Sequence, residues 1–218
     1  MKNIHNLLEG YKQFKRNYFE NPSCDLFKKL HSEGQKPKAI VIACSDSRVD
    51  PALLLNADPG DLFVVRNVAN LVPPCEQDSA HHGTSAALEF AVCGLQVEHI
   101  IIIGHSQCGG IASLVSGSPA LTEHSFIGTW MELARPALKI TEMTASNQLT
   151  LEQRGDMCAR HALVCSLDNL KTFPWIQCRM ASGSLKLHAW FFDIKEGNLL
   201  CYDADQKDFK IMNGNPIV

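Results

Sequence analysis

Apolar positions follow two rhythms along this chain. Leu7, Leu8, Tyr11 and Phe14, then Leu26, Phe27 and Leu30, recur at helical spacing on a charged background and predict helices over residues 4–19 and 22–32. Gly34-Gln35-Lys36-Pro37 breaks that rhythm, and residues 39–43, 62–65 and, in a strand opened by His99 and running to 103, residues 100–103 are then continuously apolar. Continuous rather than alternating apolarity predicts strands buried on both faces, as in a parallel sheet. Between and after them the pattern predicts a short helix over 51–55, a helix rich in small residues over 80–95, one beginning near Ile111, and others over 125–142 and about 150–170. Residues 185–194 and 199–203, joined across Glu196-Gly197-Asn198, predict an antiparallel hairpin. The sum is an α/β fold: a mainly parallel central sheet flanked by helices, with an N-terminal helical arm over 1–34 and an antiparallel C-terminal edge hairpin, in a single domain spanning 1–218.

Composition narrows the function. With 20 basic and 23 acidic residues in 218, the net charge is -3, which offers no basic footprint for nucleic acid and no polybasic patch for a membrane surface. A small-molecule substrate is expected instead. Met1-Lys2-Asn3-Ile4-His5 lacks the apolar region of a secretory leader, and the apolar runs are far shorter than a membrane span, so a cytoplasmic protein is expected. Nine cysteines, odd in number and scattered, read as thiols rather than as a disulfide framework, with two of them on a metal.

The chemistry sits where two predicted strands end. The first runs into Cys44-Ser-Asp46-Ser-Arg48; if the chain stays extended, these three side chains share one side. The third runs into Gly104-His105-Ser-Gln-Cys108-Gly109-Gly110, a tight passage into a helix. Open α/β sheets place their ligands at the carboxyl ends of strands. Taken singly, Cys44 reads as a small buried hydrophobe, His105 as a hydrogen-bonded loop residue, and Asp46 with Arg48 as a helix cap and a surface ion pair. Together, two thiols and an imidazole at two strand ends form a ligand set that favours zinc over magnesium or calcium. This requires the two strands to be near neighbours.

Three blocks in order, Ala43-Cys44-Ser-Asp46-Ser-Arg48-Val, Phe63-Val-Val-Arg66-Asn67-Val68-Ala-Asn70 and Gly104-His105-Ser-Gln-Cys108-Gly109-Gly110, resemble the signatures of the β-class carbonic anhydrases. The resemblance implies a zinc-dependent lyase that reversibly hydrates carbon dioxide to bicarbonate and a proton by attack of zinc-bound hydroxide. It implies an assembly as a homodimer or a dimer of dimers. Cys44, His105 and Cys108 would hold Zn2+, with a fourth position for water. Asp46 has two jobs open to it: occupying that position, or accepting a hydrogen bond from the water while Arg48 holds it off the metal. Gln35 matches a substrate-binding glutamine, Phe63 and Val68 match an apolar cleft wall, and Gly109 falls with them at the substrate site. Phe90 stands where many relatives have tyrosine. Val41 and Phe192 replace the tryptophan and tyrosine of the branch with an allosteric bicarbonate site, so the chain is similar to the plant-type branch and no such switch is expected.

Three rivals remain at this point: a zinc enzyme of the same scaffold acting on carbon disulfide or carbonyl sulfide, a non-catalytic zinc domain with Asp46 permanently on the metal, and a cysteine phosphatase using Cys44 and Arg48. The last is disfavoured because three residues without a glycine make too short a loop to wrap a phosphate.

Overall fold

The computed structural model describes residues 3–78, 80–122 and 124–212; Met1 and Lys2, on which part of the leader argument rests, lie outside them. The chain divides into two compact units, Met1–Lys36 and Pro37–Val218. The first holds α1 (Ile4–Tyr18) and α2 (Leu26–Glu33). Asn3 and Asn6 cap α1 reciprocally, each side chain accepting from the other's backbone N–H. The unit is knit by aromatic rings: Phe27 lies 5.4 Å from Phe14, 5.5 Å from Tyr18 and 5.0 Å from Phe19. Ile4, Leu7, Leu8 and Tyr11 remain more than half exposed.

The second unit is built on a six-stranded sheet in the order β2-β1-β3-β4-β5-β6. Its strands are β1 (Ala39–Cys44), β2 (Leu62–Asn67), β3 (His99–His105), β4 (Lys186–Phe192), β5 (Leu199–Asp203) and β6 (Asp208–Ile211). The first four in spatial order run parallel, and β4, β5 and β6 pair antiparallel. The sheet explains the continuous apolar runs. Ile40, Ile42, Ile100 and Ile102 face one core with Leu163 and Met131, while Val41, Ala43, Ile101 and Ile103 face a second, smaller one with Leu54, Leu55 and Trp190. Every residue of β1 is buried, as a strand covered on both faces must be.

Several helices sit in the positions expected, with instructive differences. α3 (Pro51–Leu55) starts at Asp50, whose carboxylate accepts from the N–H groups of Ala52 and Leu53, and stops at Asn56 in a left-handed cap. The helix expected over 80–95 begins only at Gly83: α4 (Gly83–Glu89) runs into a π-helical segment, Phe90–Gly94, which presents Phe90 at 5.8 Å from the Phe63 ring. The stretch expected as one helix over 125–142 is broken into α6 (Phe126–Met131) and α7 (Arg135–Thr144) by a 3-10 turn ahead of Pro136, which follow α5 (Gly109–Val115). α8 (Leu151–Leu170), opened by a Thr150/Gln153 capping box, packs on β3 so closely that a Cβ at Gly104 would stand 3.0 Å from Leu163 Cδ1. α9 (Pro174–Ala181) and β6 were not expected from the apolar pattern; β6 rather than the hairpin is the antiparallel edge. The short run Asp208-Phe-Lys-Ile carries only two apolar residues, too few to read as a strand.

On the second sheet face His188 shares a hydrogen bond with His99, Nε2 to Nδ1 at 3.0 Å. Burial, with His99 and Lys186 beside it, pushes the His188 imidazole down to about 4, against an ordinary value of about 6.5. The fold therefore favours neutral His188, a contribution fully present above about pH 6.5 and lost as pH falls through about 4. Denaturant unfolding across that window is expected to lose stability less steeply in His188→Gln than in the parent chain.

Candidate metal centre

β1 and β3 are direct parallel neighbours with Ala43 opposite Ile103, so the residues that end them, Cys44 and His105, arrive side by side. Cys108 reaches the same point from the N-terminal cap of α5. The three ligand atoms all lie within 4.8 Å of one another, and all three residues are buried. Cys44 Sγ and Cys108 Sγ are 3.9 Å apart. Backbone amides support both sulfurs, those of Asp46 and Ala69 at Cys44 and those of Gly110 and Ile111 at Cys108.

The cluster has the electrostatics of a cation site. The Cys108 thiol donating to Cys44, together with His105, draws the Cys44 thiol well below the ordinary thiol range despite burial. Once Cys44 is a thiolate, its charge and burial push Cys108 far up. A second thiolate this close to the first would need a positive ion between them. His105 is prepared for the same role: Nδ1 lies 2.8 Å from the Ser106 carbonyl oxygen and must donate to it, which leaves the lone pair on Nε2. That Nε2 is buried and makes no hydrogen bond. Burial pulls the His105 imidazole down, yet the Cys44 thiolate outweighs it and the net shift is upward. An orphaned ring nitrogen facing two thiols fits a soft-to-borderline divalent metal such as zinc.

Asp46 stands at the edge of this cluster, Oδ2 4.0 Å from His105 Nε2. It is held by a fork: Arg48 Nε donates to Oδ1 at 2.9 Å and Nη2 to Oδ2 at 2.8 Å, with the Arg48 backbone N–H on Oδ1 at 2.9 Å. Those bonds hold the Asp46 carboxyl well below the usual carboxylate range. The expectation of an extended strand carrying Cys44, Asp46 and Arg48 on one side is corrected here. The strand ends at Cys44, and Arg66 gathers the turn by donating to the carbonyl oxygens of Cys44, Asp46 and Val49 at 2.9, 2.7 and 2.9 Å. Asp46 reaches the cluster from this turn, not from the pleat.

The remaining expected residues are spread more widely. Val68, 38% exposed, lines an open cavity with Asn67, His82, Phe126 and Trp130, and its carbonyl accepts from Trp130 Nε1 at 2.8 Å. Half-buried Phe63 pairs with Phe90 as described, and Gly109 at the start of α5 has open space where a Cβ would project. Gln35 belongs to the amino-terminal unit and is exposed there. The sequence reading missed Gln107, whose carbonyl accepts from Arg48 Nη2 at 3.0 Å, and the α8 carboxylates of Glu152 and Asp156 that hold it. Their sequence signal is faint: two acidic residues one helical turn apart.

A family model described as carbonic anhydrase matches residues 39–199. A carbonic anhydrase of Synechocystis sp. is 36% identical over 203 residues, covering 93% of this chain and 72% of that relative. The solved β-carbonic anhydrase CcaA aligns with a TM-score of 0.88 at 34% identity, covering 97% of this chain and 93% of its own. A structure from the study of two tetrameric β-carbonic anhydrases of Sordaria macrospora aligns at 0.71 and 30% identity, covering 91% and 95%.

If the three residues hold one ion, Cys108→Ala is expected to reduce bound metal from one per chain to near zero by elemental analysis. A chelator should lower the melting temperature of the parent chain, because a ligand bound only to the folded state stabilises it, and leave that of the variant unmoved.

Proposed function

The chain belongs to the β-carbonic anhydrases, and from that membership we propose that Cys44, His105 and Cys108 hold zinc, that Asp46 orients the attacking water, and that Arg48 keeps Asp46 away from the metal. The enzyme catalyses the reversible hydration of carbon dioxide to bicarbonate and a proton. Zinc, when bound, supplies a Lewis acid that lowers the pKa of a coordinated water toward about 7, carbonic anhydrase being the standard instance. Three protein ligands leave a coordination position for that chemistry, as catalytic zinc sites do.

One observation carries the reading: the two-point Arg48 fork on Asp46. A carboxylate free to rotate beside a zinc site would become its fourth ligand. Both Asp46 oxygens are instead engaged, and Oδ2 remains 4.0 Å from His105 Nε2, close enough to accept a hydrogen bond from water at the site. Because Arg48 holds Asp46 ionised far below neutral pH, Asp46 serves as a fixed acceptor that aims a water lone pair, and the reaction's proton leaves to solvent rather than resting on it. Carbon dioxide offers little to hydrogen bonds, so apolar walls suit it; Phe63 and Val68 are assigned to that wall, Gly109 to the open approach and Gln35 to a hydrogen bond with substrate.

The same geometry favours the plant-type branch without a bicarbonate switch. Arg66, the group an anion would need, already donates to three carbonyls and to Asp50 Oδ2 at 3.2 Å, and Val41 is fully buried. We place the enzyme in the cytoplasm as a homodimer or dimer of dimers in which each chain forms one carbonic anhydrase domain. Free thiols at all nine cysteines suit a reducing compartment; among the described residues no helix is long and apolar enough to cross a membrane. The tetrameric description of the Sordaria macrospora relatives supports the assembly.

Arg48→Ala is expected to give a folded chain with its full complement of metal and a kcat lower by about 100-fold, the upper range for losing a group that orients a metal site. Stopped-flow hydration of carbon dioxide beside elemental analysis measures both. Turnover at the parent rate would refute the assigned role of Arg48.

A further inference from the structure

Gln107 lies between two of the metal-binding residues with φ of 56°, a left-handed conformation that residues with a Cβ rarely take. Such a conformation persists where its surroundings enforce it. Here the enforcement comes from α8. Asp156 Oδ1 accepts from the Gln107 backbone N–H at 2.7 Å, and Glu152 Oε1 accepts from Gln107 Nε2 at 2.7 Å. On its other side Gln107 meets Arg48: its carbonyl oxygen takes Nη2 at 3.0 Å, and its Oε1 lies 3.5 Å from Nη1.

Arg48 therefore uses one edge of its guanidinium for Asp46 and the other for Gln107. Its side chain is 44% exposed, against 18% for Asp46, so the fork ties one edge of the guanidinium while its outer part stays open to water. The second edge supplies what the ion pair lacks. A carbonyl pinned by α8 fixes where the guanidinium plane can lie, and with it the direction of the Asp46 carboxylate. The path from helix to site is continuous: Asp156 and Glu152 to Gln107, Gln107 to Arg48, Arg48 to Asp46.

We infer that Asp156 and Glu152 are positioning residues for carbon dioxide hydration, locking Gln107 so that Arg48 stays on Asp46. The inference rests on the carbonic anhydrase reading above. Asp156 is half-buried and its essential property is an acceptor for the Gln107 N–H, so an amide at that position can replace it and a methyl group cannot. Glu152 is exposed and anchors only the side chain, so its loss is the milder.

The test combines turnover with the visible absorption of the cobalt-substituted enzyme, which reports the ligands around the metal. Asp156→Ala is expected to lower kcat by about 10- to 100-fold with metal content unchanged, Asp156→Asn to retain most of the activity, and Glu152→Ala to lose about 2- to 10-fold, as for one ordinary hydrogen bond. Asp156→Ala should shift the cobalt spectrum in the direction of Arg48→Ala, and adding it to Arg48→Ala should move the spectrum no further, since both act through one arginine. Parent-level kcat in Asp156→Ala, equal losses in the Asn and Ala variants, or a further spectral change in the double variant would each overturn the inference. Should Asp156→Ala fail to fold, Glu152→Ala decides: unchanged kcat and spectrum overturn the inference. A parent chain that neither binds metal nor hydrates carbon dioxide would defeat the underlying reading instead, whereas an active parent with unaffected variants defeats this inference alone.

Discussion

A carboxylate placed beside a divalent metal will bind it unless something holds both of its oxygens, and the proposed working of this site depends on that restraint. Asp46 stands 4.0 Å from the lone-pair nitrogen of His105 and is forked by Arg48. The ion pair is short and two-pronged, with Asp46 mostly shielded and Arg48 open to water on its outer side. Its strength therefore comes from how firmly the arginine is aimed. Gln107 on one side and the Arg66-braced turn on the other fix the two ends of the fork.

The sheet makes this restraint affordable. Because β1 and β3 are paired in parallel and buried on both faces, the two strand ends that carry Cys44 and His105 cannot slide relative to each other without exposing isoleucines. The rigid part of the fold thus delivers the candidate metal ligands. The polar loops that follow the strands deliver Asp46, Arg48 and Gln107. Buried thiols and an unpartnered imidazole nitrogen are unfavourable in an apolar interior, and the fold accepts them where a cation can compensate.

Much of this was legible in the residues, for definite physical reasons. Doubly buried strands leave unbroken apolar runs, so β1, β2 and β3 could be placed, and a thiol and an imidazole directly at the ends of two such runs announced the metal cluster. What escaped were features fixed by long-range contacts. Cys44, Asp46 and Arg48 alternate as in a strand, yet Arg66, 20 residues beyond Asp46, turns the chain after Cys44. Gln107 sits in a left-handed conformation that nothing in its own identity requires, and Asp156 reaches it from 49 residues away. The π-helical segment at Phe90–Gly94 and the polar edge strand β6 are likewise products of packing that local pattern does not record.

The central claim is that Arg48 keeps Asp46 from becoming a metal ligand. A crystal structure of the zinc-loaded enzyme at alkaline pH tests it most directly. The account predicts Cys44, His105 and Cys108 as the only protein ligands, with both Asp46 oxygens on Arg48. An Asp46 oxygen coordinated to zinc, with Arg48 turned away, would contradict it.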